Sequence, residues 1–158
     1  MTADAPIAPF LTLYTGGSTT AGTFGTITER DAGDASKDTL VLQKLGRIGW
    51  ERLYEFRTYY TQGWGEGDGH PVSPRALASL YVFLDNLELQ PGMVPSIYLL
   101  KDGSLGLAWE DTAGNEVEVT FYPQKIHFYR GSDDTELEVP TRHATELGKF
   151  AKHLSSSL

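Results

Sequence analysis

The side chains suited to acid–base or metal chemistry in this chain are four histidines, His70, His127, His143 and His153, and a dense set of carboxylates. Glu66, Asp68 and His70 alternate with glycine in Gly63-Trp64-Gly65-Glu66-Gly67-Asp68-Gly69-His70-Pro71. On so permissive a backbone, two oxygen donors and an imidazole could turn toward one divalent cation. The spacing is not that of a calcium loop, because no distal glutamate completes it, and a solvated polar connector explains it better. No metal and no cofactor is assigned. The same glycines do not make a phosphate cradle: they follow a helical stretch, no Gly-Lys-Ser or Gly-Lys-Thr succeeds them, and the two carboxylates repel phosphate. Nucleophilic catalysis needs a hydroxyl beside a positioned base, yet Gly-x-Ser-x-Gly and His-Glu-x-x-His are both absent. With no cysteine in the chain, thiol nucleophiles, cysteine-ligated zinc, iron–sulfur clusters and disulfides are excluded, and no catalytic residue is assigned.

A second set of polar side chains alternates with apolar ones from Val94 onward. Glu110, Glu116, Glu118, Thr120, His127, Tyr129, Glu136 and Glu138 fall opposite Leu105, Leu107, Trp109, Val117, Val119, Phe121, Ile126 and Phe128, as on the two faces of a sheet. Several carboxylates sharing one face repel across strands unless lysine, water or a cationic partner intervenes. The face is therefore either a solvated surface that discourages aggregation or an acidic docking surface. Trp64 has a similar pair of readings, as an anchor of its loop or as an exposed contact. The candidate partner-binding set is Trp64, Glu66, Asp68, Glu110, Glu116, Glu118, His127, Tyr129, Glu136 and Glu138.

The elements that must position these groups follow from length and periodicity. At 158 residues, 40% hydrophobic and 11% aromatic, the chain is long enough for one packed domain. Residues 1–36, rich in Thr, Gly, Ala and Ser, read as an irregular N-terminal arm, and residues 37–158 as a single domain. Leu42, Leu45, Gly49, Leu53, Phe56 and Tyr60 mark an amphipathic helix capped by Ser36, with Asp38 in its first turn and weak points at Gly46 and Gly49. Ser73 and Pro74 open a second helix with Leu77, Leu80, Tyr81, Leu84 and Leu87 as its stripe, closed by Gln90-Pro91-Gly92. Turn signals at Lys101-Asp102-Gly103, Thr112-Ala113-Gly114-Asn115, Pro123-Gln124 and Gly131-Ser132-Asp133-Asp134 separate short strands, with Leu137 and Val139 closing the sheet. Leu147, Phe150, Ala151 and Leu154 give a terminal helix after Thr141. The expected fold is α+β: a four- or five-stranded antiparallel meander sheet covered on one face by about three helices.

Charge narrows the partners. The net charge of −8 opposes direct nucleic-acid binding, which needs clustered cations, and favours a basic protein. Residues 94–139 carry nine acids against three bases, whereas residues 37–60 carry five bases against three acids. No stretch is long and apolar enough to span a bilayer, and the start lacks a signal-peptide pattern, so a cytoplasmic location, bacterial or in the host of a phage, is expected.

Trp64 in its glycine-rich acidic loop, then Pro71 and Ser73, then Pro95-Ser96-Ile97, the stretch Asp102-Gly103-Ser104-Leu105-Gly106-Leu107-Ala108-Trp109, and Glu116-Val117-Glu118-Val119 form a distinctive order over residues 50–130. The order resembles a diffuse group of small bacterial and phage-associated proteins with a Trp-Asp-Gly-like loop, a helix, a P-x-I strand and a D-G-G-x-x-L-x-W hairpin. Gly65 and Ser104 depart from the Asp and second Gly of that pattern. The resemblance implies an accessory protein of bacteria or mobile elements, with an antitoxin, immunity or anti-defence role. The expectation is thus a non-enzymatic protein-binding inhibitor with an acidic surface. Two other classes stand beside it: a small hydrolase or metal-dependent enzyme using His127 with Glu118 or the Glu66/Asp68/His70 loop, and a subunit that assembles with itself.

Overall fold

The structure, a computed structural model, describes residues 29–141 and 149–151, with side chains from residue 35 onward. The expectations for Leu147, Leu154, His143, His153 and the arm before residue 29 lie outside the described residues. Two compact units divide the chain, Met1–Ser36 and Lys37–Leu158, and the sheet belongs to the second.

Helix α1 spans Glu29–Tyr59, broken at Gly46, whose left-handed φ of 68° with ψ of −175° interrupts the regular backbone. The sequence places its start at Ser36. The helix instead runs through Ser36, so neither the cap nor the first-turn role of Asp38 holds, and residues 29–36 are not irregular. Glu29, Arg30, Ala32 and Ala35 are adequate helix formers, and nothing compels a start after them. Its buried stripe is Val41, Leu45, Gly49, Leu53 and Phe56, whereas Leu42 is 36% exposed, one position off the predicted line. Gly49 sits in the second segment where a Cβ would lie 2.5 Å from Leu45 Cβ, so the close approach across the break requires glycine.

Helix α2 spans Pro74–Asn86. Ser73 Oγ accepts the Ala76 N–H at 3.4 Å, with proline in the first turn, as the sequence predicts. The end comes earlier than Gln90: Leu87 turns extended, and its N–H still reaches the carbonyls of Phe83 and Leu84. Phe83, absent from the predicted stripe, is fully buried and meets Phe121 edge-on at 5.2 Å.

Five strands follow: β1 (Ser96–Leu99), β2 (Leu105–Glu110), β3 (Glu116–Phe121), β4 (Lys125–Arg130) and β5 (Thr135–Pro140). They pair antiparallel in the order β1-β2-β3-β4-β5, the meander that the turn spacing predicts. Asp102 Oδ1 accepts the Ser104 N–H across the first turn, and Asp111 Oδ1 accepts those of Ala113 and Asn115 across the second. Ile97, Leu105, Leu107, Trp109, Val117, Val119, Phe121, Ile126 and Phe128 are buried on one face, in one cluster with residues of both helices. Burying each such side chain contributes about 1.5–3 kcal/mol before entropy is counted. Helix α2 packs on β2 and β3, and residues 149–151 are helical, with the Phe150 ring 5.7 Å from Phe128. Among the described residues no helix is long and apolar enough to cross a membrane.

Candidate functional site

The loop between the helices is held from within. Trp64 Nε1 donates to the His70 carbonyl at 2.6 Å, and its ring meets Tyr60 at 5.0 Å. Trp64 and Gly69 pair as an isolated bridge, with the Gly69 N–H donating to the Trp64 carbonyl at 3.0 Å. A Cβ on Gly69 would lie 2.6 Å from the indole, so glycine is what lets the chain fold over the ring. The loop then docks on the β1–β2 turn: the His70 N–H reaches the Lys101 carbonyl at 2.7 Å and the Ser73 N–H reaches that of Gly103 at 2.9 Å. Gly103, at φ 86°, comes so near that a Cβ would lie 2.3 Å from the Pro71 carbonyl oxygen.

The three polar side chains of this loop diverge in their partners. Asp68 pairs with Lys101 at 2.9 Å, and that hydrogen bond holds its carboxyl below the usual range. His70 Nδ1 faces Gln62 Oε1 at 3.2 Å, and Glu66 is exposed. No group of three or more His, Asp or Glu suited to a metal ion occurs among the described residues.

The acidic set lies on the sheet face opposite the core, in a register that the sequence does not give. Glu110 pairs with Glu116, Glu118 with Tyr129, Thr120 with His127, His127 with Glu138, and Tyr129 with Glu136. Local partners then divide the carboxylates. Tyr98 on β1 lies across Gly106, where a Cβ would meet its ring at 2.0 Å, and donates its hydroxyl to Glu118 Oε1. Burial, then that bond to Glu118, pushes the Tyr98 phenol well above the ordinary tyrosine range, and the Thr120 hydroxyl pulls in the other direction. Lys125 Nζ binds Glu138 Oε1, holding that carboxyl below its usual value, while His127 Nε2 stands 3.8 Å from Glu136 Oε2. His127 and Glu118, paired in the enzyme reading, therefore have different neighbours, Glu136 and Tyr98.

Glu110 and Glu116 remain. They face each other directly across β2 and β3, both are exposed, and neither has an ion-pair partner among the described residues. They border an open depression of about 680 Å³ that Met93, Val94, Ser96 and Ala108 also line. Beside them, Asp111 is held below the usual carboxylate range, first by the Asn115 backbone N–H. Tyr98 is the residue of this face that sequence reasoning passed over. Its signal is the pairing of an aromatic on one strand with a glycine opposite, Gly106, which becomes readable only once the register is known.

No protein-family model matches the sequence, and neither the curated proteins nor the solved structures offer a match.

Proposed function

We propose that the chain is a non-enzymatic protein-binding module that captures a basic protein on the outer face of its sheet. The observation that carries the reading is the Glu110–Glu116 pair: two like charges set directly opposite one another, exposed, with no ion-pair partner among the described residues. Such a pair destabilises a sheet by a few tenths of a kcal/mol, a cost that an incoming lysine or arginine would reverse. The depression next to it, with Val94 58% exposed, offers apolar surface for the stem of such a side chain. The surplus of acids over residues 94–139 would steer a basic partner toward this face. The resemblance over residues 50–130 adds the setting: an inhibitor of antitoxin, immunity or anti-defence type carried by a phage or mobile element.

The test is capture of the tagged chain's partner from host lysate at low and moderate salt, beside the double variant Glu110→Lys/Glu116→Lys. A stoichiometric basic protein that is released by salt and lost in the variant is the expected result. Equal capture by the variant would remove the acidic-face reading.

A further inference from the structure

The two edges of the sheet are finished differently. At β1, the Leu100 N–H bonds the Ser104 carbonyl at 2.9 Å, which fixes the phase of the β1–β2 ladder and turns the backbone groups of Ile97 outward. That outward carbonyl is covered: Arg52 of α1 donates to it at 3.4 Å. The strand is also short, four residues, and Pro95 precedes it without an N–H to offer.

At β5 the Thr141 N–H bonds the Gln124 carbonyl at 3.1 Å, so the hydrogen-bonded pairs of the β4–β5 ladder fall at Ile126–Val139 and Phe128–Leu137. The N–H and carbonyl groups of Glu136 and Glu138 therefore point away from the sheet. Among the described residues no hydrogen bond reaches them. Side chains along this edge alternate strictly: Glu136 and Glu138 on the acidic face, Leu137 and Val139 on the core face, with Leu137 47% exposed. Lys125 occupies only Oε1 of Glu138, and His127 approaches only Oε2 of Glu136, so each carboxylate keeps one oxygen for a new donor.

We infer that β5 is a docking edge at which an extended segment of the basic partner adds as a sixth strand, its cationic residues opposite Glu136 and Glu138 and its apolar residues beside Leu137 and Val139. The inference rests on the basic-partner reading and assigns it a geometry. Backbone hydrogen bonds supply affinity in strand addition, and the alternate side chains supply selectivity. Charge settles the occupant: a second copy of this chain would bring the same glutamates face to face, whereas a strand alternating Lys or Arg with aliphatic residues matches both faces at once.

The probe is a short capped peptide alternating Lys and Val, beside a twin N-methylated at its lysines and a twin with Glu in place of Lys. The full chain is titrated with each, and amide exchange is followed residue by residue. The expected result is binding of the first peptide alone, with exchange of the Glu136 and Glu138 amides slowed at least about tenfold and affinity falling at least about tenfold on N-methylation. Binding that ignores N-methylation, or leaves both amides exchanging freely, overturns strand addition while the acidic-face reading stands. No binding of the lysine peptide overturns it as well. The acidic-face reading fails by a separate result, capture of the natural partner undiminished in Glu110→Lys/Glu116→Lys.

Discussion

The Trp64 loop and the outer face of the sheet carry the same kinds of residue, aromatics, glycines and carboxylates in alternation, and the fold gives them different partners. In the loop, Trp64 bonds the His70 carbonyl and lies under Gly69, Asp68 takes Lys101, and the backbone docks on the β1–β2 turn. On the sheet, Tyr98 over Gly106 ties down Glu118 in a comparable way, but Glu110 and Glu116 are left facing each other. An aromatic over a glycine thus marks a place where the chain satisfies itself. Glu110 and Glu116, without such a neighbour, stay exposed and opposed.

That contrast can be broken from either side. The largest effect is expected at Gly103→Ala, which adds a Cβ at positive φ against the Pro71 carbonyl: a loss of about 3 kcal/mol in urea unfolding, from strain and displacement together. Partner capture by the folded fraction should persist. Trp64→Ala should lose about 2 kcal/mol, less than a core tryptophan because the ring is half-buried, again with capture unchanged; a loss of capture at full stability would return the loop to the partner surface.

Tyr98→Phe sharpens the sheet side. It removes one hydrogen bond to a carboxylate, about 1 kcal/mol at neutral pH for a half-buried pair. Because the folded state raises the Tyr98 pKa, its contribution is full below the unfolded tyrosine value of about 10 and is lost as pH climbs beyond it. Urea melts from neutral to alkaline pH should therefore fall more steeply for the wild type than for the variant, and parallel curves would deny the bond. The smallest change is Glu110→Lys, which turns a like-charge pair into an opposite one and should stabilise the chain by about 0.5 kcal/mol in low salt while weakening capture.

Much of this arrangement is legible in the sequence because it is local. Ser73 and Pro74 open α2, the turn residues place the hairpins, and period-two alternation separates the core face from the acidic face. Legibility fails where distant segments meet. Helix α1 extends upstream of Ser36 because helix-compatible residues precede that serine, and its buried line runs through Val41 rather than Leu42 on either side of the break at Gly46. Phe83 is hidden from a stripe drawn on one helix, since its burial is decided by Phe121 on another element.

The sequence by itself determined the antiparallel meander of four or five strands, the sign of the outer face and the residue types on each side, because alternation and turn chemistry act over a few residues. Only the tertiary structure decided that Glu110 opposes Glu116, that Tyr98 reaches Glu118, that the Trp64 indole bonds the His70 carbonyl of its own loop, and that Arg52 covers the Ile97 carbonyl at one edge of the sheet while Glu136 and Glu138 turn their backbone outward at the other. Each of these depends on register or on contact between segments far apart in the chain, and a shift of one residue in register would reverse every side chain on a strand.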